Sequence, residues 1–214
     1  MTDTWRELPP TGIHRVDPKV TWTGDRIVVL LDATPDDRSV GTGLVLDDDG
    51  TGWQRTAAPP MSEFRAAVWT PSGLVAMGPL SRHLGDDDGD DRPDGIVATY
   101  DPTADTWARL DEPTGFDVAA PGRPSMVWSG REVLVVDAPF WFGATEDEPV
   151  LRAAALDPAS GTWRSIDDPP LSWRGGSSAA WTGTELLLWG GESSTGYTSD
   201  PYADGARYRP GPGR

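Results

Sequence analysis

Short apolar stretches alternate with polar, turn-forming stretches along the whole chain. Segments such as 27–31 and 133–136 consist of four or five branched aliphatic residues, and tight turns stand directly before them. Apolar runs of this length fit buried β-strands, and no window keeps the 3.6-residue apolar period of an amphipathic helix. Gly and Pro are both abundant, at 25 and 21 of 214 residues. The pattern therefore predicts an all-β protein of many short strands joined by hairpin turns.

The tryptophans show that this pattern repeats. Eight of the eleven fall into two series in which successive members are about fifty residues apart. The first series is Trp5, Trp53, Trp107 and Trp163, and the second is Trp22, Trp69, Trp128 and Trp181. Self-similarity at this period is typical of β-propeller blades, each of which is a four-stranded antiparallel sheet.

The two series also order the strands within one repeat, which we denote a, b, c and d. Strand a ends at a second-series tryptophan, and a tight turn leads to the apolar strand b. Strand c ends seven residues before a first-series tryptophan, and strand d begins at that tryptophan. A single domain of 1–214 is predicted, with repeats at about 10–56, 57–110, 111–166 and 167–214, the last together with 1–9.

The two ends of the chain are complementary parts of one repeat. The C-terminus stops after a strand c that ends at Tyr208, and residues 4–8 at the N-terminus match a strand d. Because an unpaired strand edge favours aggregation, we expect 4–8 to pair with about 204–209. This predicts a four-bladed ring whose last blade is closed by the N-terminal strand, with Trp5 buried between blades. The alternative is a segment of a larger ring, or half of a ring built by two copies.

Three stretches resemble a known family. They are Tyr100-Asp-Pro-Thr-Ala-Asp-Thr-Trp107, Leu156-Asp-Pro-Ala-Ser-Gly-Thr-Trp163 and Ala179-Ala-Trp-Thr-Gly-Thr-Glu-Leu-Leu-Leu-Trp-Gly-Gly191. They resemble the kelch-repeat β-propeller family, in its bacterial form and in the central domain of galactose oxidase. The glycine doublet that follows strand b in that family is present only at Gly190-Gly191. The resemblance covers almost the whole chain and implies a kelch-like β-propeller, for which the repeat count predicts four blades.

Charge and composition narrow the range of partners. The formal net charge is −16, and such a surface repels nucleic acid and anionic membranes, so we expect neither as a partner. The chain has no cysteine, so the Tyr–Cys copper site of galactose oxidase cannot form, and we expect no metal and no cofactor. The N-terminus lacks the basic and apolar pattern of a signal peptide, from which we expect a cytoplasmic protein.

An arginine precedes strand a in every repeat, and in three repeats a ring-bearing residue stands directly before it. The candidate ligand-binding residues are Arg15, Arg65, Arg123, Arg174, Phe64 and Trp173. They belong to the d–a loops, which we expect to emerge with the long b–c loops on one face of the ring. Four guanidinium groups at that mouth would bind carboxylate or phosphate in a bidentate way. Alternatively, each arginine braces its loops by contacting backbone carbonyls or aspartates.

The segment 86–94 is the most acidic part of the chain. Asp86, Asp88 and Asp90 alternate as in a calcium loop, but the glycine expected next is Asp91 and no bidentate Glu follows. Charge runs of this kind are usually solvated, so we expect a dispensable loop, with calcium binding as the alternative.

Together these features favour a non-enzymatic binding or scaffolding protein. It would present its d–a and b–c loop face to a protein, peptide or glycan, and the arginines would suit an anionic ligand of any of these kinds. No nucleophile elbow, P-loop or metal-binding His pair is present, and catalytic residues stay unknown. The alternative is a sugar- or acid-processing enzyme in which the arginine cluster is the substrate clamp. We expect a monomer, with a ring-completing dimer as the alternative.

Overall fold

The computed structural model of the chain describes residues 3–14, 17–33, 40–79, 95–116, 118, 123–137, 151–194 and 199–211. These ranges contain strands and turns and no α-helix, so the prediction of an all-β protein is confirmed. Within them, no helix is long and apolar enough to cross a membrane.

Within the described residues, seventeen strands form a series of antiparallel sheets in chain order. The first sheet contains β1 (Lys19–Trp22), β2 (Ile27–Leu31), β3 (Thr42–Leu46) and β4 (Trp53–Arg55). The second contains β5 (Ala66–Thr70), β6 (Gly73–Pro79), β7 (Gly95–Asp101) and β8 (Thr106–Leu110). The third contains β9 (Ser125–Trp128), β10 (Val133–Asp137), β11 (Arg152–Asp157) and β12 (Thr162–Ser165). The fourth contains β13 (Ser178–Trp181), β14 (Leu186–Trp189) and β17 (Gly205–Tyr208), and β15 (Glu192–Ser194) pairs with β16 (Ser199–Pro201) as a separate hairpin.

The second strands of the first three sheets, β2, β6 and β10, lie at the centre of the core, whereas β14 of the fourth sheet is buried on one face only. In β6 every residue is buried, because a strand pairs on each side of it and a sheet packs on each face. Leu74 and Ala76 face the first sheet, whereas Val75 and Met77 face the third. Successive side chains of a strand point to opposite faces, so a continuous apolar run is what a strand buried on both faces requires.

Three first-series tryptophans connect the first three sheets to the chain segment before each of them by hydrogen bonds. The indole Nε1–H of Trp107 donates to the carbonyl of Ala57 at 3.1 Å, and that of Trp163 donates to the carbonyl of Asp111 at 2.7 Å. Trp53 donates in the same way to the carbonyl of Pro9 at 2.7 Å. Each acceptor lies four residues after the preceding first-series tryptophan. The same indole-to-carbonyl hydrogen bond therefore recurs with the repeat that the sequence predicts.

The tight turns between the first two strands of a sheet also repeat. Thr23, Ser129 and Thr182 each donate their backbone N–H to the carbonyl three residues ahead, at 2.9–3.0 Å. The following glycines, Gly24, Gly130 and Gly183, have φ between 91° and 105°. Residues with a side chain rarely adopt this left-handed conformation, so glycine at this position explains the Trp-Thr-Gly and Trp-Ser-Gly patterns.

The predicted pairing of residues 4–8 with about 204–209 is absent, and for this structure that prediction is wrong. The fourth sheet has three strands, and β17 pairs only with β14. Trp5, predicted to be buried, is fully exposed, at 103%. The N-terminal segment instead lies along the first sheet, where Trp53 binds Pro9 and the guanidinium of Arg6 reaches the carbonyl of Asp49 at 3.3 Å. The N-terminal segment therefore contacts the nearby first sheet and does not pair with β17 of the fourth sheet.

Candidate functional site

Long and short connections lie at opposite ends of the sheets. The a–b turns (23–26, 71–72, 129–132, 182–185) and the c–d turns (47–52, 102–105, 158–161) have two to six residues. The b–c connections (32–41, 80–94, 138–151, 190–204) and the d–a connections (56–65, 111–124, 166–177) have ten to fifteen. Antiparallel pairing places all of the latter at one end, which we call the long-loop end. The sequence predicted this segregation.

Arg174 lies at the long-loop end of the fourth sheet and is buried, with 1% of its surface exposed. Its Nε donates to the carbonyl of Ser172 at 3.0 Å, its guanidinium forms an ion pair with Asp204, and its Cζ stands 3.9 Å from the ring centroid of Tyr202. The hydrogen bond from Arg174 lowers the pKa of the Asp204 carboxyl below its ordinary value. These contacts join the d–a and b–c connections, as the bracing interpretation of the arginine cluster describes.

Arg65 is held differently. Its Nη2 lies 3.0 Å from Oε2 of Glu63, and its side chain remains 24% exposed. Its backbone N–H donates to the carbonyl of Met77 at 2.9 Å, which fixes the d–a connection of the second sheet against β6. The buried Nε of Arg65 has no hydrogen-bond partner among the described residues. A partly exposed guanidinium can still donate hydrogen bonds to a carboxylate or phosphate ligand.

The remaining candidates fall into different environments. Phe64 is 2% exposed and packs in the core between the first and second sheets, with its ring centroid 6.4 Å from that of Trp107. Such a ring offers no surface to a ligand in this structure. Arg123 is exposed, and Trp173 is partly buried. Arg15 lies outside the described residues, so the four arginines are not all placed.

Sequence reasoning missed two aspartates at this end. Asp32 follows β2 and accepts the backbone N–H of Phe64 at 2.8 Å, and burial raises the pKa of its carboxyl. Asp137 ends β10 and is buried, at 4% exposure. Both occupy the position of the glycine doublet in the fourth repeat, so the available signal was an acidic residue where the family pattern has glycine. At Asp32 the carboxylate links strand b of one repeat to the d–a connection of the next.

The described part of the chain contains no cluster of metal-binding side chains. Within the described ranges, no three His, Cys, Asp or Glu residues are grouped so that they could hold a metal ion. The acidic segment 86–94, for which calcium was the alternative, lies outside those ranges.

Comparisons with known proteins establish the fold. No family model matches the chain, and no curated protein matches it. The solved structure of YjhT is similar, with a TM-score of 0.61 and 14% sequence identity over 95% of this chain and 68% of that one. The crystal structure of TolB from Acinetobacter baumannii matches with a TM-score of 0.47 and 14% identity, over 87% of this chain and 39% of that one. YjhT is a propeller, so its similarity supports a β-propeller fold for this chain.

Proposed function

We propose that this chain is a non-enzymatic binding module of the kelch type, whose four repeats present the long-loop end to a protein, peptide or glycan. The segregation of its connections carries this proposal. Short turns join the strands at one end of every sheet, and connections of ten to fifteen residues join them at the other. Rigid scaffolds place recognition on the variable loops, because these tolerate changes that the core does not.

The contacts with the ligand are assigned to the solvent-facing arginines of this end. Arg174 is buried among its own partners, whereas Arg65 is partly exposed and Arg123 is exposed. In a protein with a net charge of −16, these two side chains supply the local positive charge that an anionic ligand needs. Carboxylate, sulfate or phosphate groups on a peptide or glycan fit a guanidinium in a bidentate way.

Binding is tested by screening the purified protein against glycan and peptide arrays and titrating the best ligand by calorimetry. We expect the double variant Arg65→Ala/Arg123→Ala to bind at least about tenfold more weakly, because charge-assisted contacts are lost. The control is Arg131→Ala, which removes an exposed arginine from the short-turn end. Equal loss in the control and the double variant would contradict the assignment of this end.

The same variants distinguish the binding module from the alternative function, a sugar- or acid-processing enzyme. Sugar acids are incubated with the protein and followed by NMR. Turnover that disappears in Arg65→Ala/Arg123→Ala and persists in Arg131→Ala would support the enzyme and contradict the binding module.

A further inference from the structure

Among the described residues, no other sheet covers the outward faces of the first and last sheets. The inner strands of successive sheets pack together, β1 with β5, β5 with β9 and β9 with β13, but no comparable packing joins β13 to β1. Trp69, Trp128 and Trp181 each pack against the sheet that precedes theirs. Trp22 holds the same position in the first sheet and is 59% exposed, next to the exposed Val20. At the other end, Leu187 and Trp189 are exposed on β14, Trp189 at 63%.

The N-terminal segment already occupies the place of a strand d in a preceding sheet. Pro9 accepts the indole N–H of Trp53 as Ala57 and Asp111 accept those of the next two first-series tryptophans. By this equivalence residues 4–8 hold the position of an outer strand, although they pair with no sheet among the described residues. The fourth sheet is the reverse, because β17 has a free edge where β8 and β12 complete the second and third sheets.

A cavity lies beside this free edge. Its lining includes residues equivalent to those that Trp107 contacts in the second sheet. It has a volume of about 380 Å³, lies between the third and fourth sheets, and is lined by Asp167, Leu188 and Tyr208 among others. In the second sheet, Trp107 lies across from Tyr100, with ring centroids 5.0 Å apart, and donates to Ala57. Tyr208 and Asp167 are the equivalents of Tyr100 and Ala57 by repeat position. The cavity is therefore suited to the indole of Trp5.

Charge complementarity points to the same strand. In the third sheet, Arg164 directly follows Trp163 and pairs with Glu132 through two hydrogen bonds of 2.8 and 2.6 Å. Arg6 directly follows Trp5, and Glu185 holds the position of Glu132 in the fourth sheet. Glu185 contacts Arg209 at 3.0 Å, and that arginine is largely exposed. In the second sheet the arginine position is Ala108 and the glutamate position is Gly73, so neither member of this ion pair is present there.

We propose that the strand 4–8 of a second copy of this chain completes the fourth sheet, and that the exchange is mutual. The indole of Trp5 from one copy enters the cavity of the other, Arg6 pairs with Glu185 across the contact, and the face of β1 covers that of β14. A second copy is the occupant because each chain holds its own residues 6 and 9 on its first sheet, while its first and last sheets do not pack together. Two copies make eight sheets, within the range of about four to eight blades in closed propellers.

The test is a charge exchange between copies, followed by sedimentation velocity and multi-angle light scattering. The wild-type protein is expected to be a dimer at micromolar concentration. Arg6→Glu and Glu185→Arg each place like charges at both contacts of a dimer, and each should raise the dissociation constant about tenfold or more. Arg109→Glu makes the same charge change on an exposed outer-strand position of the second sheet and should leave the dimer unchanged. Circular dichroism checks that all variants are folded.

Mixing the two variants separates a second copy from the chain's own strand. A mixed pair has opposite charges at both contacts, so an equimolar mixture of Arg6→Glu and Glu185→Arg should return to a dimer, whereas Trp5→Ala should not dimerise alone. A monomeric wild type, a mixture that stays monomeric, or a stable monomer of the double variant Arg6→Glu/Glu185→Arg would overturn the proposal and favour closure within one chain. Open-ended polymers would overturn the closed pair as well.

Discussion

The indole rings of Trp163 and Trp128 pack against the same cluster between the second and third sheets. They differ in one respect, since the Nε1–H of Trp163 donates to the carbonyl of Asp111 and Trp128 makes no such bond among the described residues. Both are tryptophans at repeat positions, one from each series. The hydrogen bond distinguishes a ring that fills space from a ring that also fixes the next connection.

Replacing each of the two rings by phenylalanine isolates this bond. Trp163→Phe keeps much of the apolar contact and leaves the carbonyl of Asp111 without its donor, so we expect about 1 kcal/mol lower stability than in Trp128→Phe. Urea unfolding followed by circular dichroism measures the difference. If the two variants lost equal free energy, the indole hydrogen bond would have no structural role.

At the scale of elements, the long-loop end is organised by contacts between one connection and the next. Arg174, in the d–a connection before β13, reaches Asp204 in the connection before β17, and Asp32 after β2 reaches the backbone of Phe64 before β5. Such contacts cross 30 or more residues of sequence. The sequence indicated the arginine but not which of its two roles it takes, because burial decides that and burial is a property of the assembled sheets.

The Arg174–Asp204 pair should make stability depend on pH in the acid range. The folded-state pKa of Asp204 is lowered below 3.8, so the stabilisation is complete above that value and is lost as the pH falls through the folded-state pKa. We expect Asp204→Asn to melt at a lower temperature than wild type at neutral pH, with a gap that narrows as the pH falls through the folded-state pKa of Asp204. Asp200→Asn, an exposed change in β16, is the control and should show no such closing gap. A gap independent of pH would contradict the ion pair.

At the scale of the whole molecule, sheets stack in chain order and each shares a core with its neighbours. Apolar clusters join the first sheet to the second, the second to the third and the third to the fourth. The chain carries 34 acidic and 18 basic residues, and the resulting self-repulsion opposes the compact state.

Added salt should therefore stabilise the protein. Raising NaCl from about 0.01 M to about 0.15 M shortens the screening length from about 30 to about 8 Å, so the melting temperature should rise. Magnesium and calcium at equal low concentration serve as matched controls, and we expect them to act alike. A rise specific to calcium would support the alternative for segment 86–94, and a fall with NaCl would contradict the repulsion argument.

The sequence by itself determined the repeat, the four strands of the first three repeats, the turn residues and the end at which the long loops emerge. These follow from local spacing, because tryptophan, apolar runs and glycine recur at positions that only one strand order satisfies. The tertiary structure decided which arginine is buried, which ring belongs to the core and where residues 4–8 lie. Those outcomes depend on contacts between segments that are distant in sequence. The N-terminal segment makes its hydrogen bonds to the first sheet, and the edge strand β17 of the fourth sheet stays unpaired on its outer side.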